Sequence, residues 1–523
     1  MFLAIIIIAC CYLIYYLGQR QHTYWKRRGF TQLEPKFIFG DVQPMVKGQM
    51  SFGQVLESLY VKSRMHKLVG IYFFYKPAIL VNDPILLQHV FIKNFTSFHD
   101  RPVNIDLDVD TLRDNLFSTP GKKWRDLRTK LSPTFTSGKL KGMFSTITDC
   151  ANVLDRYLVN NVDRGENTFD FRDLFARFNT NIISSVAFGI ENDCINEPDN
   201  IFRKMGTKIF EMTTKKKVQA SSVMLIPALR KIWKFKFTSD EVEAFFKNVV
   251  KQTVDYREKN NYERNDFMQL LIQLKNQGYL SADSGDTKSV EKEAKQTNQA
   301  VKKLSLLDLE ANAFLFFVAG FETSSSTLSF CIFELARNLR IQRKAQDEID
   351  RVIAANDNKG FTYEMIHELK YLECCIDEAL RKYPIVPLLF RVAAEDFRVP
   401  DTNLTVPKGT EMMIPVLGIH RNPDIYDNPL EFRPERFLTS STGSTIETKG
   451  CYYLPFGDGP RNCIGMRMAK VMTKIGMATV LAKFNVELVD KNLENVELDI
   501  DPEQFIHTPL KPFNLKLTPR TVA

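Results

Sequence analysis

The apolar positions of this chain fall into three patterns. The first is unbroken: Phe2 to Leu17, FLAIIIIACCYLIYYL, carries no charge, and such a run is a membrane segment at the short end of the spanning range. Gly18 and then Arg20, Lys26, Arg27 and Arg28 follow, and basic residues behind an apolar run place the next part of the chain on the cytoplasmic side. A cleaved signal peptide is the competing reading. No basic residue precedes the run and no small-x-small site follows it, so a retained anchor is expected. Pro35 and Gly40 mark the passage onward. The expected organisation is an anchor over 1–19, a basic linker over 20–45 and one globular body over 46–523.

The second pattern is short and β-rich. Leu68 to Tyr75 and Ala78 to Val81, divided by Lys76-Pro77, predict a strand pair, and Asp83-Pro84 caps a helix through about Lys93. The third is helical spacing, which predicts helices starting at Lys122, over Phe169 to Phe188, Asn200 to Met212 and Asp240 to Lys259, and from near Cys463 through Val480. Ser305-Leu306-Leu307-Asp308 opens a further helix with a capping-box-like start, running to about Asn338; at about 1.5 Å per residue it spans roughly 50 Å. Arg101 to Pro120 has no regular period and predicts a loop, as does the charge-rich stretch Gly278 to Lys303. The fold class is mainly α with a minor β part. Length alone admits several domains, but the even helical pattern favours one large body.

Charge and cysteine content narrow this picture. The 70 Lys+Arg against 62 Asp+Glu leave a net +8, which suits an acidic protein partner or an anionic lipid surface; no stretch resembles a nucleic-acid motif. Nine cysteines lie without metal-like or disulfide-like spacing, which points to a reducing compartment. Cys331, Cys374 and Cys375 read as core residues. SSVMLIPALRKIWKFKF, Ser221 to Phe237, is basic and apolar, and serves equally as a second membrane contact or as core.

One cysteine stands apart. Phe456-Gly457-Asp458-Gly459-Pro460-Arg461-Asn462-Cys463-Ile464-Gly465 places a thiol at the mouth of a helix, where unpaired N–H groups favour thiolate. Its glycines and proline permit a tight loop, and Gly465 lets the helix approach something flat. A lone cysteine cannot make a zinc site. It can serve a cofactor that brings its own equatorial ligands, such as haem with an axial thiolate. An isolated cysteine is more often an ordinary buried residue, but Phe456-x-x-Gly459-x-Arg461-x-Cys463-x-Gly465 resembles the signature of the cytochrome P450 superfamily.

Three further motifs follow in the family's order. Trp124 and Arg128, at i, i+4 on one helical face, resemble the family's haem-propionate clamp; alone they would read as an amphipathic helix with a snorkelling arginine. Ala319-Gly320-Phe321-Glu322-Thr323 resembles its proton-relay signature, although small residues and a Ser/Thr run also suit close helix packing. Glu378-x-x-Arg381 with Arg436 resembles its structural triad, Arg391 a propionate-binding arginine, and His420 a recurrent structural position.

The resemblance covers essentially the whole chain. Phe98-His99-Asp100-Arg101, the stretch Leu131 to Lys139, Ala319 to Ser325 and Glu378 to Pro384 look most like insect microsomal family 6, close to vertebrate family 3. It implies a catalytic domain over 46–523 that binds haem b through Cys463, with Arg461, Trp124, Arg128, Arg391 and Arg101 on the propionates and Phe456 and Gly465 beside the ring. Thr323 and Glu322 would organise proton delivery. Ile105, Phe117, Phe314, Ala319 and Leu388 would line the substrate pocket. It further implies O2 and NADPH as co-substrates, electrons from the FAD/FMN-containing NADPH-cytochrome P450 reductase with cytochrome b5 as a second donor, and the endoplasmic reticulum membrane. The expected activity is oxygen insertion into lipophilic xenobiotics such as plant toxins and insecticides. The alternatives are endogenous lipophiles such as hormones or fatty acids, an isomerase or dehydratase that uses no O2, and a non-catalytic carrier. Lys122, Lys123, Arg125 and Lys130 are the candidate patch for the reductase, or a merely solvated face.

Overall fold

The helix Leu306–Arg337 crosses the middle of the body and sets the layout around it. It starts where its sequence dictates: Ser305 Oγ accepts the Asp308 N–H at 3.0 Å while the Asp308 carboxylate accepts the Ser305 N–H at 3.1 Å, so two otherwise orphaned donors are satisfied together. Most of its side chains are buried against Phe171–Phe188 on one side and Met466–Lys483 on another. Among the described residues this is the helix long and apolar enough to cross a membrane, but its burial inside the protein makes it the core helix. The structure is a computed structural model that describes residues 2–520 apart from 103–105, 212, 226–228, 230–235, 281–302, 357–359 and 439–450.

Gly320 in this helix serves packing. A Cβ there would lie 2.6 Å from Ile183 Cδ1, so the room it makes is taken by the neighbouring helix. The Ser/Thr run bonds the preceding turn: Ser325 to the Phe321 carbonyl, Thr327 to that of Thr323 and Ser329 to that of Ser325. Such back-bonds satisfy hydroxyls in a packed helix.

Helices expected from the periodic pattern stand at Gly121–Leu131, Ile201–Phe210 and Asp240–Asn260, and others, such as Ser137–Asp163 and Leu339–Ala355, join them. Between 101 and 120 the described chain is irregular save for one turn, Thr111–Arg113. Of Ser221 to Phe237, residues 226–228 and 230–235 lie outside the described residues, as do 281–302 of the charged loop. Cys331, Cys374 and Cys375 are buried in the core, as expected.

A four-stranded sheet flanks the helical body in the order Leu68–Phe73, Lys76–Val81, Glu411–Ile414, Leu389–Val392. All pairs are antiparallel except the central one. The hairpin turns at Phe74 and Tyr75, two positions earlier than Lys76-Pro77 suggests, because Phe74 adopts a φ of 55° and Pro77 pairs within the ladder opposite Tyr72. Asp83 caps the next helix by accepting the Ile85 N–H at 2.8 Å.

The stretch expected to be a basic linker is built into this sheet region. His22, Trp25, Phe30 and Val42 are buried, Gln32 bridges to Gly70 and Gly40 to Phe73. A Cβ on Gly70 would lie 2.3 Å from Trp25 Cγ, so the glycine admits the indole. Burial of two large rings outweighs the solvation of the four basic residues around them. The chain before them is a helix, Phe2–Gln21, with Phe2, Ile5, Tyr12, Leu13, Tyr16 and Leu17 exposed.

Candidate active site

The cysteine loop is shaped by two glycines in left-handed conformation, Gly457 at φ 69° and Gly459 at φ 72°. A Cβ on Gly459 would fall 2.0 Å from the Phe91 carbonyl oxygen, so no other residue fits. The loop closes when the Cys463 N–H donates to the Phe456 carbonyl at 2.8 Å and the Asn462 N–H to that of Gly459 at 3.1 Å. The helix Met466–Lys483 then begins, capped by Gly465. A Cβ on Gly465 would meet nothing within 4 Å.

Cys463 is solvent-accessible, unlike Cys194, Cys331, Cys374, Cys375 and Cys451. It nevertheless lies deep enough that burial pushes its thiol pKa up, against the opposing pull of the Gly465 N–H, Arg128 and Arg101. The helix start acts in the direction anticipated but does not win alone. A thiolate here calls for a further positive charge on the sulfur, as a metal supplies.

Four guanidinium groups cluster beside the loop, and two of them, Arg101 and Arg128, act on the sulfur itself. Arg461 donates to the His99 carbonyl at 2.7 Å and to that of Thr119, and lies 4.6 Å from the Trp124 ring centroid. Arg101 donates to the Phe117 carbonyl at 3.0 Å and the Arg461 carbonyl at 3.2 Å. Arg391 donates to the Phe390 carbonyl at 2.8 Å. Arg128 holds Asn462 by carbonyl and side chain. Burial, then mutual repulsion, lowers Arg391 to about 9 and Arg101 well below its usual range; burial lowers Arg461 to about 10 despite Asp100, 3.7 Å away.

Arg391 Nε and Arg461 Nε are buried without a hydrogen-bond partner. So many desolvated cations are costly unless anions join them. An accessible sulfur beside under-compensated guanidiniums fits a metal-bearing group with acidic arms, and the residues present therefore fit haem.

On the central helix, Ala319 is exposed and Thr323 half-buried. The Thr323 hydroxyl donates to the Ala319 carbonyl. Glu322 lines a different space, a recess of about 390 Å³ shared with Arg172, Arg203, Ser326 and Thr508, which does not include Thr323. Burial raises the Glu322 pKa, opposed by Arg172 and Arg203. Neighbours in sequence thus face different surroundings, since successive residues on a helix are turned by about 100°.

Of the expected pocket residues, Phe117 is exposed beneath Arg101, whose guanidinium carbon lies 4.2 Å from its ring centroid. Phe314 is packed against Phe246 and Leu388 is fully buried, so neither faces open space. Ile105 lies outside the described residues.

The supporting triad is present. Arg381 donates to both Glu378 oxygens, at 2.8 and 2.9 Å, and Arg436 Nε to Oε1 at 3.3 Å. His420 accepts the Leu454 N–H at 2.8 Å, which ties the triad's neighbourhood to the cysteine loop. Sequence reasoning missed Asn462 as the partner of Arg128, and Arg172 and Arg203 as companions of Glu322. The first stands inside the quoted motif, whereas the other two carry no local signal.

Comparison with known proteins agrees. The family model described as Cytochrome P450 matches residues 32–517. The chain is 38% identical over 481 residues to Cytochrome P450 6d3 of Musca domestica, covering 91% of each. It is 38% identical over 483 residues to Cytochrome P450 6k1 of Blattella germanica, covering 92% of this chain and 90% of the relative. To Cytochrome P450 6a2 of Drosophila melanogaster it is 37% identical over 490 residues, 93% of each.

Proposed function

Since this chain belongs to the cytochrome P450 family and is a cytochrome P450 monooxygenase, we propose that it oxidises lipophilic foreign compounds, such as plant toxins and insecticides, with Cys463 as the axial ligand of haem b. The observation that carries this reading is the cluster of Arg101, Arg128, Arg391 and Arg461, of which Arg101 and Arg128 act directly on an accessible Cys463. Those guanidiniums, with Trp124, would hold the acidic arms of the group, and Phe456 and Gly465 would border it.

Bound haem would supply the iron at which O2 is activated. The chain's own part is to hold the sulfur, exclude water and manage protons. Glu322 can take protons from its recess, its carboxyl poised by burial against Arg172 and Arg203. Thr323 Oγ1 can hold one on the accessible side of the helix. Ala319 presents apolar surface there, which suits a substrate without charge.

Electrons would come from NADPH through a flavoprotein reductase, with cytochrome b5 as a second donor. The helix Phe2–Gln21 would anchor the protein in the endoplasmic reticulum membrane, its body on the cytoplasmic side, since its exposed face is apolar and Arg20 and Lys26 to Arg28 follow.

The test is reconstitution with haem, lipid and reductase, followed by a screen of plant allelochemicals and insecticides for NADPH-dependent product. Oxygenated product is expected with the parent enzyme and none with Cys463→Ala. Turnover that needs no NADPH would identify an isomerase or dehydratase instead.

A further inference from the structure

We propose that the N-terminal helix is a rigid strut and not a tether, and that its joint with the body presses the Phe37–Ile38 turn into the headgroup layer of a bilayer carrying anionic lipid. The proposal rests on the anchor reading above.

The joint begins inside the helix. Gly18 is buried, and a Cβ there would lie 2.9 Å from Tyr75 Cε1 and 3.3 Å from Phe37 Cε2. The glycine is a notch that receives the hairpin turn of the sheet. One turn earlier Tyr15 packs on Phe37, ring centroids 5.2 Å apart. One turn later His22 stacks on Tyr75 at 5.0 Å, and its Nε2–H donates to the Phe74 carbonyl at 2.9 Å.

No slack follows. Gln32 Nε2 donates to the His22 carbonyl at 2.8 Å, while Gln32 Oε1 accepts from Tyr72 Oη at 2.8 Å and from the Lys26 N–H at 3.1 Å. Trp25 is fully buried. Helix, joint and sheet therefore move together, and the helix fixes which side of the body meets the membrane.

Beside the joint, Phe37 is 38% and Ile38 41% exposed. Ile38 is held at φ 68°, a conformation that is strained for a β-branched residue and persists only where the surroundings impose it. An apolar turn presented at such cost next to an apolar helix suits insertion at an interface. Arg20, Arg27 and Arg28 stand exposed on the same stretch, which matches anionic phosphates in charge.

The test uses full-length protein in vesicles of phosphatidylcholine with phosphatidylserine. An environment-sensitive fluorescent amino acid replaces Ile38 or, as control, Met65, which is 88% exposed beyond the far end of strand Leu68–Phe73. Lipids with a shallow nitroxide should quench position 38 and spare position 65. Inserting Gly-Ser-Gly between Gln21 and His22 should lower quenching at 38 to the level at 65 while the protein still floats with the vesicles. Gly18→Leu should do the same, and the insertion keeps the test valid if that variant does not fold. Unchanged quenching at 38 after the insertion, or none in the parent protein that floats, overturns the strut. Failure of the parent protein to float, with no change on deleting residues 2–17, refutes the anchor itself and the strut with it.

Discussion

Arg128 grips Asn462 twice, donating to its carbonyl at 2.9 Å and to its Oδ1 at 2.8 Å, and Asn462 is the residue before Cys463. The fork geometry of a guanidinium matches this pair of acceptors, and an ammonium does not. The helix bearing Trp124 therefore sets the position of the sulfur through one side chain.

Arg128→Ala should loosen the loop by about 3 kcal/mol, two charge-assisted hydrogen bonds at about 1.5 kcal/mol each, and lower haem content on purification. Arg128→Lys should recover only part of this. Haem-to-protein ratio and urea midpoint are the measurements. Equal haem content in all three proteins would remove Arg128 from the support of the loop.

Glu378→Ala leaves Arg381 and Arg436 buried without their carboxylate. Removing one partner of a buried ion pair costs about 3–5 kcal/mol, a large share of a typical folding free energy. Loss of soluble protein, or a sharp fall in unfolding midpoint, is expected. A mild effect would mean that water or Asp427, which already pairs with Arg436 at 2.7 Å, takes up the role.

Thr323→Ala removes a hydroxyl whose only described bond is within its own helix, so folding should change by about 1 kcal/mol or less. Substrate affinity should persist. Product per NADPH should fall several-fold, with the difference appearing as hydrogen peroxide. Unchanged coupling would leave Thr323 as a packing residue.

Burial, with Arg381 beside it, pushes the His420 ring down to about 3, and burial does the same to His507, also about 3. Both are neutral when folded. In the unfolded chain each takes up a proton below about 6.5. Their contribution is thus complete above about pH 6.5 and is lost as pH falls toward 3, at about 1.4 kcal/mol per pH unit for each. Asp41, raised to about 6 by burial, works in the opposite sense, so the comparison between variants is the clean quantity. His420→Gln can still accept the Leu454 N–H and should flatten the acid limb by one proton. Parallel curves for variant and parent would show that His420 is not held neutral.

What could be read beforehand was what short stretches of sequence determine. Ser305 and Asp308 announce their capping box within one turn, and Phe456 to Gly465 carry their own glycines, arginine and thiol. What escaped depends on partners far along the chain. Trp25 looks like part of a basic linker until Gly70 is placed against it. Gly320 advertises space but not its occupant, Ile183. Glu322 and Thr323 read as one unit in a line of text, yet the helix turns one toward Arg172 and Arg203 and the other toward Ala319.

The crowding of guanidiniums beside the Cys463 loop has a bearing on the cell's supply of this enzyme. A ligand that binds only the folded chain deepens its stability by RT ln(1 + [L]/Kd). Here the deepening should be unusually large, since bound acid groups also relieve repulsion that the protein alone must bear. The abundance of the enzyme should then follow haem availability: when haem synthesis is starved, the chain would be cleared by proteolysis before any loss of transcription is felt.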